Sequence, residues 1–399
     1  MEGPFVKAKE ILTILHNNGY EAYFVGGSVR DYLLQRPIGD IDIATSARPE
    51  QIMDMFQKTI DVGAVHGTVI VLHKGEEYEV TTFRTEEGYD DYRRPSHVEF
   101  VTSLHEDLKR RDFTMNAIAM TIDGDIIDPF GGKKAIEKKR IQTVGDPNER
   151  FFEDALRMMR AVRFSSQLSF LLYKETESAI SDNASLLKKI SVERITIEFE
   201  KLLSGPSCQD AIPILIKTNL FQYIPGLADE TRHLERFSFY KWNQLQERAE
   251  YWTLVCYLLN KDDIKTFLRQ WKLPNKIIEQ AVKNVVCLEK VLQQGWSKRY
   301  LYDCGAQSIQ QVERILRVLG EHQEVSPYQE FCKLPIKQRS DLLITGEDLL
   351  LWFNQKPGKW VAELYETVEN GVLENKVENS KEKIKEWLLS CNQKSEKNC

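Results

Sequence analysis

The sequence predicts an α+β chain in which an N-terminal mixed-sheet head is followed by an all-helical, elongated remainder. Three observations lead there. Short β-type runs alternate with helical stretches as far as Ile127, such runs stop after Gly145-Asp146-Pro147, and from Arg150 onward apolar residues recur at helical spacing, interrupted only at glycine and proline.

In chain order, strands are expected at 22–25, 41–44, 69–73, 78–83 and 125–127, which gives a mixed sheet with flanking helices. The stretch 150–203 reads almost wholly as amphipathic helix. Beyond it the periodicity breaks at Gly205-Pro206, Pro225-Gly226, Pro274, Pro327 and Pro357-Gly358, so that the rest is a series of helices. No repeat of fixed period stands out, which argues against a solenoid. The seven tryptophans, between Trp242 and Trp387, are read as helix-packing residues, and the polar end from Cys391 to Cys399 as frayed.

With 399 residues the chain exceeds one ordinary core, so more than one packed unit is expected. A hydrophobic fraction of 42% and a charged fraction of 29% are those of a globular protein. No run reaches the ~18 apolar residues of a membrane span, and the start lacks a secretory layout, so the chain is read as cytoplasmic with no membrane association. Seven cysteines without CxxC spacing argue against a disulfide framework or a zinc site and suit reduced thiols. The net charge of −6 hides local basic knots, namely Lys109-Arg110-Arg111 and the cluster of Lys133, Lys134, Lys138, Lys139 and Arg140. An acidic protein can therefore still offer phosphate a cationic face, although a solvated surface explains the second cluster equally well.

Chemistry enters at Phe24-Val25-Gly26-Gly27-Ser28-Val29-Arg30-Asp31, a strand running into a double glycine and then a helix. Gly27 lets phosphate oxygens approach backbone N–H groups at a helix start, with Arg30 one turn in to pair with them. Eight residues later comes Gly39-Asp40-Ile41-Asp42-Ile43. On a strand Asp40 and Asp42 share a face, and two carboxylates so placed suit Mg²⁺, one ion activating a ribose 3′-hydroxyl and a second binding a triphosphate. A bare DxD on an edge strand is common, and the glycine segment upstream is what sharpens it. Glu79, on the 78–83 strand, is placed to supply a third carboxylate. In Lys109-Arg110-Arg111-Asp112-Phe113-Thr114-Met115-Asn116 a helix start would put Arg111 against phosphate and Asp112 and Asn116 against sugar hydroxyls.

The segment Arg150 to Phe164 is the most informative. Asp154 and Arg157 are three apart on the expected helix, where they can form a plain ion pair. The functional alternative is that they meet the Watson–Crick edge of an incoming base. Cytosine and adenine each present an amino donor beside a ring-nitrogen acceptor, which a carboxylate and a guanidinium satisfy together. Uracil and guanine present the reverse order, so the same pair rejects them.

Taken together, the GGSVRD…DxD, RRDFTxNA and EDxLRxxRAxRF patterns occur in an order that resembles class II CCA-adding enzymes of the polymerase β nucleotidyltransferase superfamily, in the Bacillus-type form. The resemblance covers essentially the whole chain and is strongest from Phe24 to Phe164. It implies a polymerase β-like head over 1–145, a helical neck over 146–205 carrying the base-templating helix, a body over 206–300 and a tail over 301–399. It implies Asp40 and Asp42 as metal ligands for Mg²⁺, Gly27, Arg30 and Arg111 as nucleotide contacts, Asp154 and Arg157 as the protein template, and Arg160 and Arg163 as further nucleotide-site arginines. Residues 191–203, with Glu193, Arg194 and Glu198, resemble the family's neck-stabilising helix. The implied partners are CTP, ATP and the acceptor and TΨC arms of tRNA, with no obligate protein partner.

The same head serves bacterial poly(A) polymerases and enzymes that add only CC or only A. The stretch from Arg84 to Pro95 resembles the flexible loop that CC-only members lack, and its glycine and charges suit a mobile lever. The short lead before the glycine motif and the mixed charge of the last helix are unlike the poly(A) polymerases, while an A-only enzyme stays open. Two rivals from other classes are a non-catalytic RNA-binding protein, which metal-dependent pyrophosphate release would exclude, and a transferase acting on a small molecule, which competition by bulk tRNA would separate.

Overall fold

A computed structural model describes residues 3–64, 67–87, 97–321 and 324–395. They form two compact units, one of Met1–Asn243 with Gln270–Lys272 and the other of Gln244–Arg269 with Leu273–Cys399.

The first unit opens with α1 (Pro4–Asn17), whose Phe5 meets Phe24 edge-on at 4.9 Å. Then come β1 (Ala22–Val25), α2 (Gly26–Leu33), β2 (Asp42–Thr45), α3 (Pro49–Met55), β3 (Thr59–Gly63), β4 (Thr68–His73) and β5 (Glu76–Thr82). A hairpin of β6 (Arg84–Glu87) and β7 (His97–Phe100) precedes α4 (Leu104–Lys109), β8 (Ala119–Met120) and β9 (Ile126–Ile127). Seven of these strands make one sheet in the order β3-β4-β5-β2-β1-β8-β9, mixed because β2 and β5 run parallel while every other neighbouring pair is antiparallel. Val25, Ala44, Phe83, Leu108, Ala117, Ala119 and Val144 are buried together beside it.

The expected strands all appear, but β3, β8 and the hairpin were not foreseen. β3 is an edge strand with Ile60 and Val62 about half exposed, so it lacks the alternation that marks a half-buried strand, and β8 is only two residues long. β2 starts at Asp42, after a bend at Asp40, so the two aspartates are not neighbours on one strand face as the period-two reading required.

The helix expected from Arg150 is in fact two helices. After α5 (Gly132–Glu137) and β10 (Arg140–Ile141), α6 (Pro147–Glu153) is capped by Asp146, whose carboxylate accepts from the Asn148 N–H at 2.7 Å. Asp154 then takes extended backbone, φ −137° and ψ 102°, and its Oδ1 accepts the Leu156 N–H at 3.0 Å, starting α7 (Leu156–Leu168). An aspartate's short side chain competes for backbone N–H groups in this way and favours a break over a continuous turn. A second interruption follows α7, where Ser169 is left-handed and β11 (Leu171–Leu172) pairs parallel with β10 inside the stretch read as helical.

α8 (Lys174–Asn183) and α9 (Val192–Leu203) complete the part that concerns the site. α9 lies close against α7. Ser166 Oγ donates to the Leu202 carbonyl at 2.6 Å, and a Cβ on Gly205 would come within 2.1 Å of that same Oγ, so only glycine fits the turn leading to α10 (Cys208–Lys217).

The second unit is helical throughout its described residues. Its long helices α11 (Asn275–Gln294) and α12 (Lys298–Leu319, broken by a kink at Gly305) are joined by a disulfide between Cys287 and Cys304, whose Cα atoms lie 6.1 Å apart. This corrects the expectation that all thiols are reduced. The tight link between the two helices brings together cysteines whose 17-residue separation carries no sequence signature. Trp242, Trp252 and Trp271 are fully buried and Trp296, Trp352, Trp360 and Trp387 partly so, as packing residues should be.

Candidate active site

The first unit holds a cavity of about 940 Å³, and eleven of the twelve residues singled out from the sequence line it. They are Gly27, Arg30, Asp42, Glu79, Arg111, Asp112, Asn116, Asp154, Arg157, Arg160 and Arg163. Asp40 is the exception. It stands exposed on the bend before β2, outside the lining, though its charge reaches Asp42.

The acidic floor is made by the one parallel strand pair of the seven-stranded sheet, in which Asp42 on β2 stands opposite Glu79 on β5. Burial, followed by the charges of Glu79 and Asp40, pushes the Asp42 carboxyl up to about 6 in spite of Arg111 and Arg30 nearby. Crowded carboxylates of this kind are relieved by a cation. Among the described residues no group of three or more His, Cys, Asp or Glu is arranged to hold a metal. A hard cation that takes one or two carboxylates and completes its shell with phosphate oxygens fits this donor set.

Gly26 brings β1, α2 and the floor together. Its φ is +71°, and a Cβ there would lie 3.1 Å from both Asp42 Oδ2 and Arg111 Nη1. Arg30, one turn into α2, donates from Nε and Nη2 to the Asp31 carboxylate at 3.0 Å each and from Nη1 to Asn116 Oδ1 at 2.7 Å.

Arg111 and Asp112 follow the C-terminus of α4, and Asn116 closes a single 3-10 turn, Thr114–Asn116, rather than opening the longer helix expected. Asp107, fully buried on α4, grips both basic neighbours. Its Oδ1 accepts from Arg110 Nη2 at 2.8 Å and its Oδ2 from Arg111 Nη2 at 3.1 Å. Asp112 accepts from the Phe113 N–H at 2.8 Å, Asn116 Nδ2 at 3.1 Å and Arg160 Nε at 2.7 Å. Burial alone would raise its pKa, but Arg160 and Asn116 outweigh burial and hold it at about 2. The hydrogen bonds of Asp112 and Asn116 thus run within the protein.

Asp154 and Arg157 both line the cavity, joined by a backbone bond from the Arg157 N–H to the Asp154 carbonyl at 2.9 Å but by none between their side chains. Asp154 is held by Arg194 of α9, with Nη2 to Oδ2 at 2.8 Å and Nη1 to Oδ1 at 3.3 Å. Arg157 donates to Glu153 at 2.5 Å and to the carbonyls of Arg150 and Arg110 at 3.1 Å each. The plain ion pair between them is therefore absent, because the helix break turns Asp154 toward α9. Arg30, Arg160 and Arg163 gather around the Phe164 ring, with Arg163 closest at 3.8 Å from its centre.

In all, eight arginines and four carboxylates line the cavity, an excess of positive charge suited to a polyphosphate. The sequence reading did not place Arg110 there, and it took Arg194 as part of a purely structural helix. Asp107 had a usable signal, because its positions three and four before Arg110 and Arg111 put it on one helix face with them. Arg194 had none, since its partner is forty residues away.

Comparison with known proteins adds the family. A model described as "Poly A polymerase head domain" matches residues 22–142, one described as "Probable RNA and SrmB- binding site of polymerase A" matches 169–231, and a tRNA nucleotidyltransferase domain 2 model matches 243–388. Along its whole length the chain is 50% identical to the CCA-adding enzyme of Geobacillus kaustophilus (strain HTA426), over 406 residues that cover 100% of both proteins. The chain belongs to the CCA-adding enzymes. The CCA-adding enzyme of Bacillus cereus (strain AH187) is 48% identical, with 97% of this chain and 99% of that protein covered. The crystal structure of the Bacillus stearothermophilus CCA-adding enzyme in complex with CTP superposes with a TM-score of 0.95 at 48% identity, covering 100% of both chains. A Thermotoga maritima CCA-adding enzyme complexed with tRNA shares the fold, with a TM-score of 0.64 at 19% identity. The mixed-sheet head and helical remainder of this chain are therefore the CCA-adding fold. No helix among the described residues is long and apolar enough to cross a membrane.

Proposed function

We propose that the chain adds C, C and A to the 3′ end of tRNA from CTP and ATP, releasing pyrophosphate, and chooses each base with Asp154 and Arg157. One observation carries this reading. A single cavity combines the Asp42–Glu79 floor, an excess of arginine, and a carboxylate and guanidinium that face it without bonding each other.

Nucleotidyltransferases of this kind work with divalent metal ions, and we assign Mg²⁺ to Asp42 with Asp40, and Glu79 as a further carboxylate. When bound it would lower the cost of the 3′-oxygen attacking the α-phosphorus and of the negative charge on departing pyrophosphate. The bond formed is O3′–Pα and the bond broken joins Pα to the bridging oxygen of pyrophosphate. Arg30 and Arg111 neutralise the triphosphate. Asp112 orients Arg160, and Asn116 ties Arg30 to Asp112. Asp154 accepts from the exocyclic amino group of cytosine or adenine while Arg157 donates to the ring nitrogen.

Residues 146–205 then serve as the neck that carries the template, and 206–300 and 301–399 as body and tail that hold the acceptor and TΨC arms. The cytoplasm is the proposed compartment. The loop from Arg84 to Pro95 is the proposed lever between CTP and ATP selection, and its part from 88 onward lies outside the described residues.

The test is a gel assay with tRNA transcripts ending at the discriminator base, at CC and at CCA, given labelled CTP or ATP and Mg²⁺. Three additions that stop at CCA are expected. Transfer of A only to the CC-ended transcript would make the chain an A-adding enzyme, and unlimited A tails a poly(A) polymerase.

A further inference from the structure

The carboxylate of Asp154 has its acceptor sites shared out unequally. Oδ1 takes two donors, the Leu156 N–H at 3.0 Å and Arg194 Nη1 at 3.3 Å, whereas Oδ2 takes one, Arg194 Nη2 at 2.8 Å. An ionised carboxylate offers about four lone-pair sites. The position left open is therefore on Oδ2, and its direction is fixed by the two-point grip of a planar guanidinium.

Arg194 lies in the first turn of α9. One turn further along the same face of α9, Glu198 lies 2.6 Å from Arg163 Nε and 4.0 Å from Arg160 Nη1. α9 thus stands behind the base-reading region with a cation on the acid and an anion on the arginines. The side chains of Arg194 and Asp154 are 25% and 16% exposed, so their attraction is less screened than that of a surface pair.

We propose that Arg194 is a positioning residue that determines base specificity, acting through Asp154. The proposal rests on the reading of Asp154 and Arg157 as the base-selecting pair. One physical effect supports it. The grip fixes the plane of the carboxylate, so the open lone pair on Oδ2 points to one place. A carboxylate turned away from that place would no longer repel the 4-carbonyl of uracil, and discrimination against UTP would be lost.

The experiment compares kcat/KM for CTP with that for UTP on a tRNA transcript ending at the discriminator base, using the full chain and the variants Arg194→Gln, Arg194→Lys and Asp154→Ala. This ratio does not depend on the fraction of active enzyme, so a merely structural role for Arg194 would leave it unmoved. Arg194→Gln should lower the ratio about tenfold or more, chiefly through a raised KM for CTP. Arg194→Lys, which keeps the charge but cannot bond both oxygens, should recover part of the loss. An unchanged ratio in Arg194→Gln beside a collapsed ratio in Asp154→Ala would overturn the role of Arg194 and leave the base-reading assignment standing. An unchanged ratio in Asp154→Ala would remove that assignment and the proposal with it. If Arg194→Gln does not fold, Arg194→Lys decides, with a loss of about threefold supporting the proposal and no loss overturning it.

Discussion

Arg157 illustrates how a single side chain in this cavity is held before any base meets it. Its guanidinium is tied to Glu153 and to the carbonyls of Arg150 and Arg110, so the donor proposed to face a base is already oriented. Removing it has two separable consequences. Arg157→Ala should let UTP compete with CTP, since a mispaired base edge is no longer repelled, and should also destabilise the fold by about 1–3 kcal/mol because buried acceptors lose their donor. Single-nucleotide assays and chemical denaturation read the two effects independently, and full discrimination in the variant would end the template assignment. Asp112 shows the same economy with opposite charge. Its carboxyl is held at about 2, below its ordinary 3.8, so the native state gains stability from it above pH 3.8 and loses that gain as the pH falls toward 2. Asp112→Asn should therefore be less stable than the parent at neutral pH, and the gap in thermal midpoint should close across that acid window. A gap independent of pH would mean that the charge of Asp112 contributes nothing.

At the scale of elements, the junction of β1 with α2 sets the geometry of the acidic floor. Gly26 holds a positive φ, and a methyl group there would press on Asp42 and Arg111 together. Gly26→Ala should cost about 1–2 kcal/mol of stability from the left-handed backbone alone. Nucleotide addition should fall further than that, about tenfold or more, because the displaced atoms belong to the floor. Equal losses in stability and activity would count against this role for the junction. This junction was legible in the sequence because the double glycine, which alone also occurs in plain turns, is followed by Asp40 and Asp42. The break at Asp154 was not. Residues 150–164 keep helical periodicity across it, and nothing local shows that an aspartate will cap a new helix instead of continuing the old one. The period-two argument for Asp40 failed for a related reason, since it assumed a strand beginning two residues too early. Patterns of residue type, with the family resemblance for Arg160 and Arg163, thus announced side chains that gather in the cavity. They did not announce the bonds among those side chains, because Arg194 with Asp154 and Arg160 with Asp112 each join segments some forty or more residues apart.

For the molecule as a whole, a formal charge of −6 coexists with a cavity where arginines outnumber carboxylates two to one. Lys133, Lys134, Lys138, Lys139 and Arg140 are exposed and do not line that cavity. Positive charge is therefore present in two settings that salt should affect differently. Exposed cations meeting RNA phosphates gain from counterion release, and that gain falls steeply with salt. Arginines enclosed in a partly desolvated cavity are screened less, because mobile ions have little access to the space between them and a bound triphosphate. Raising monovalent salt from about 50 to about 200 mM should weaken tRNA binding tenfold or more in a filter assay. Over the same range the KM for CTP, measured at saturating tRNA, should change by less than about threefold. Equal sensitivity of both constants would mean that the arginine cavity is open to bulk ions. Insensitivity of both would mean that shape and hydrogen bonding, rather than charge, hold the RNA to this acidic chain.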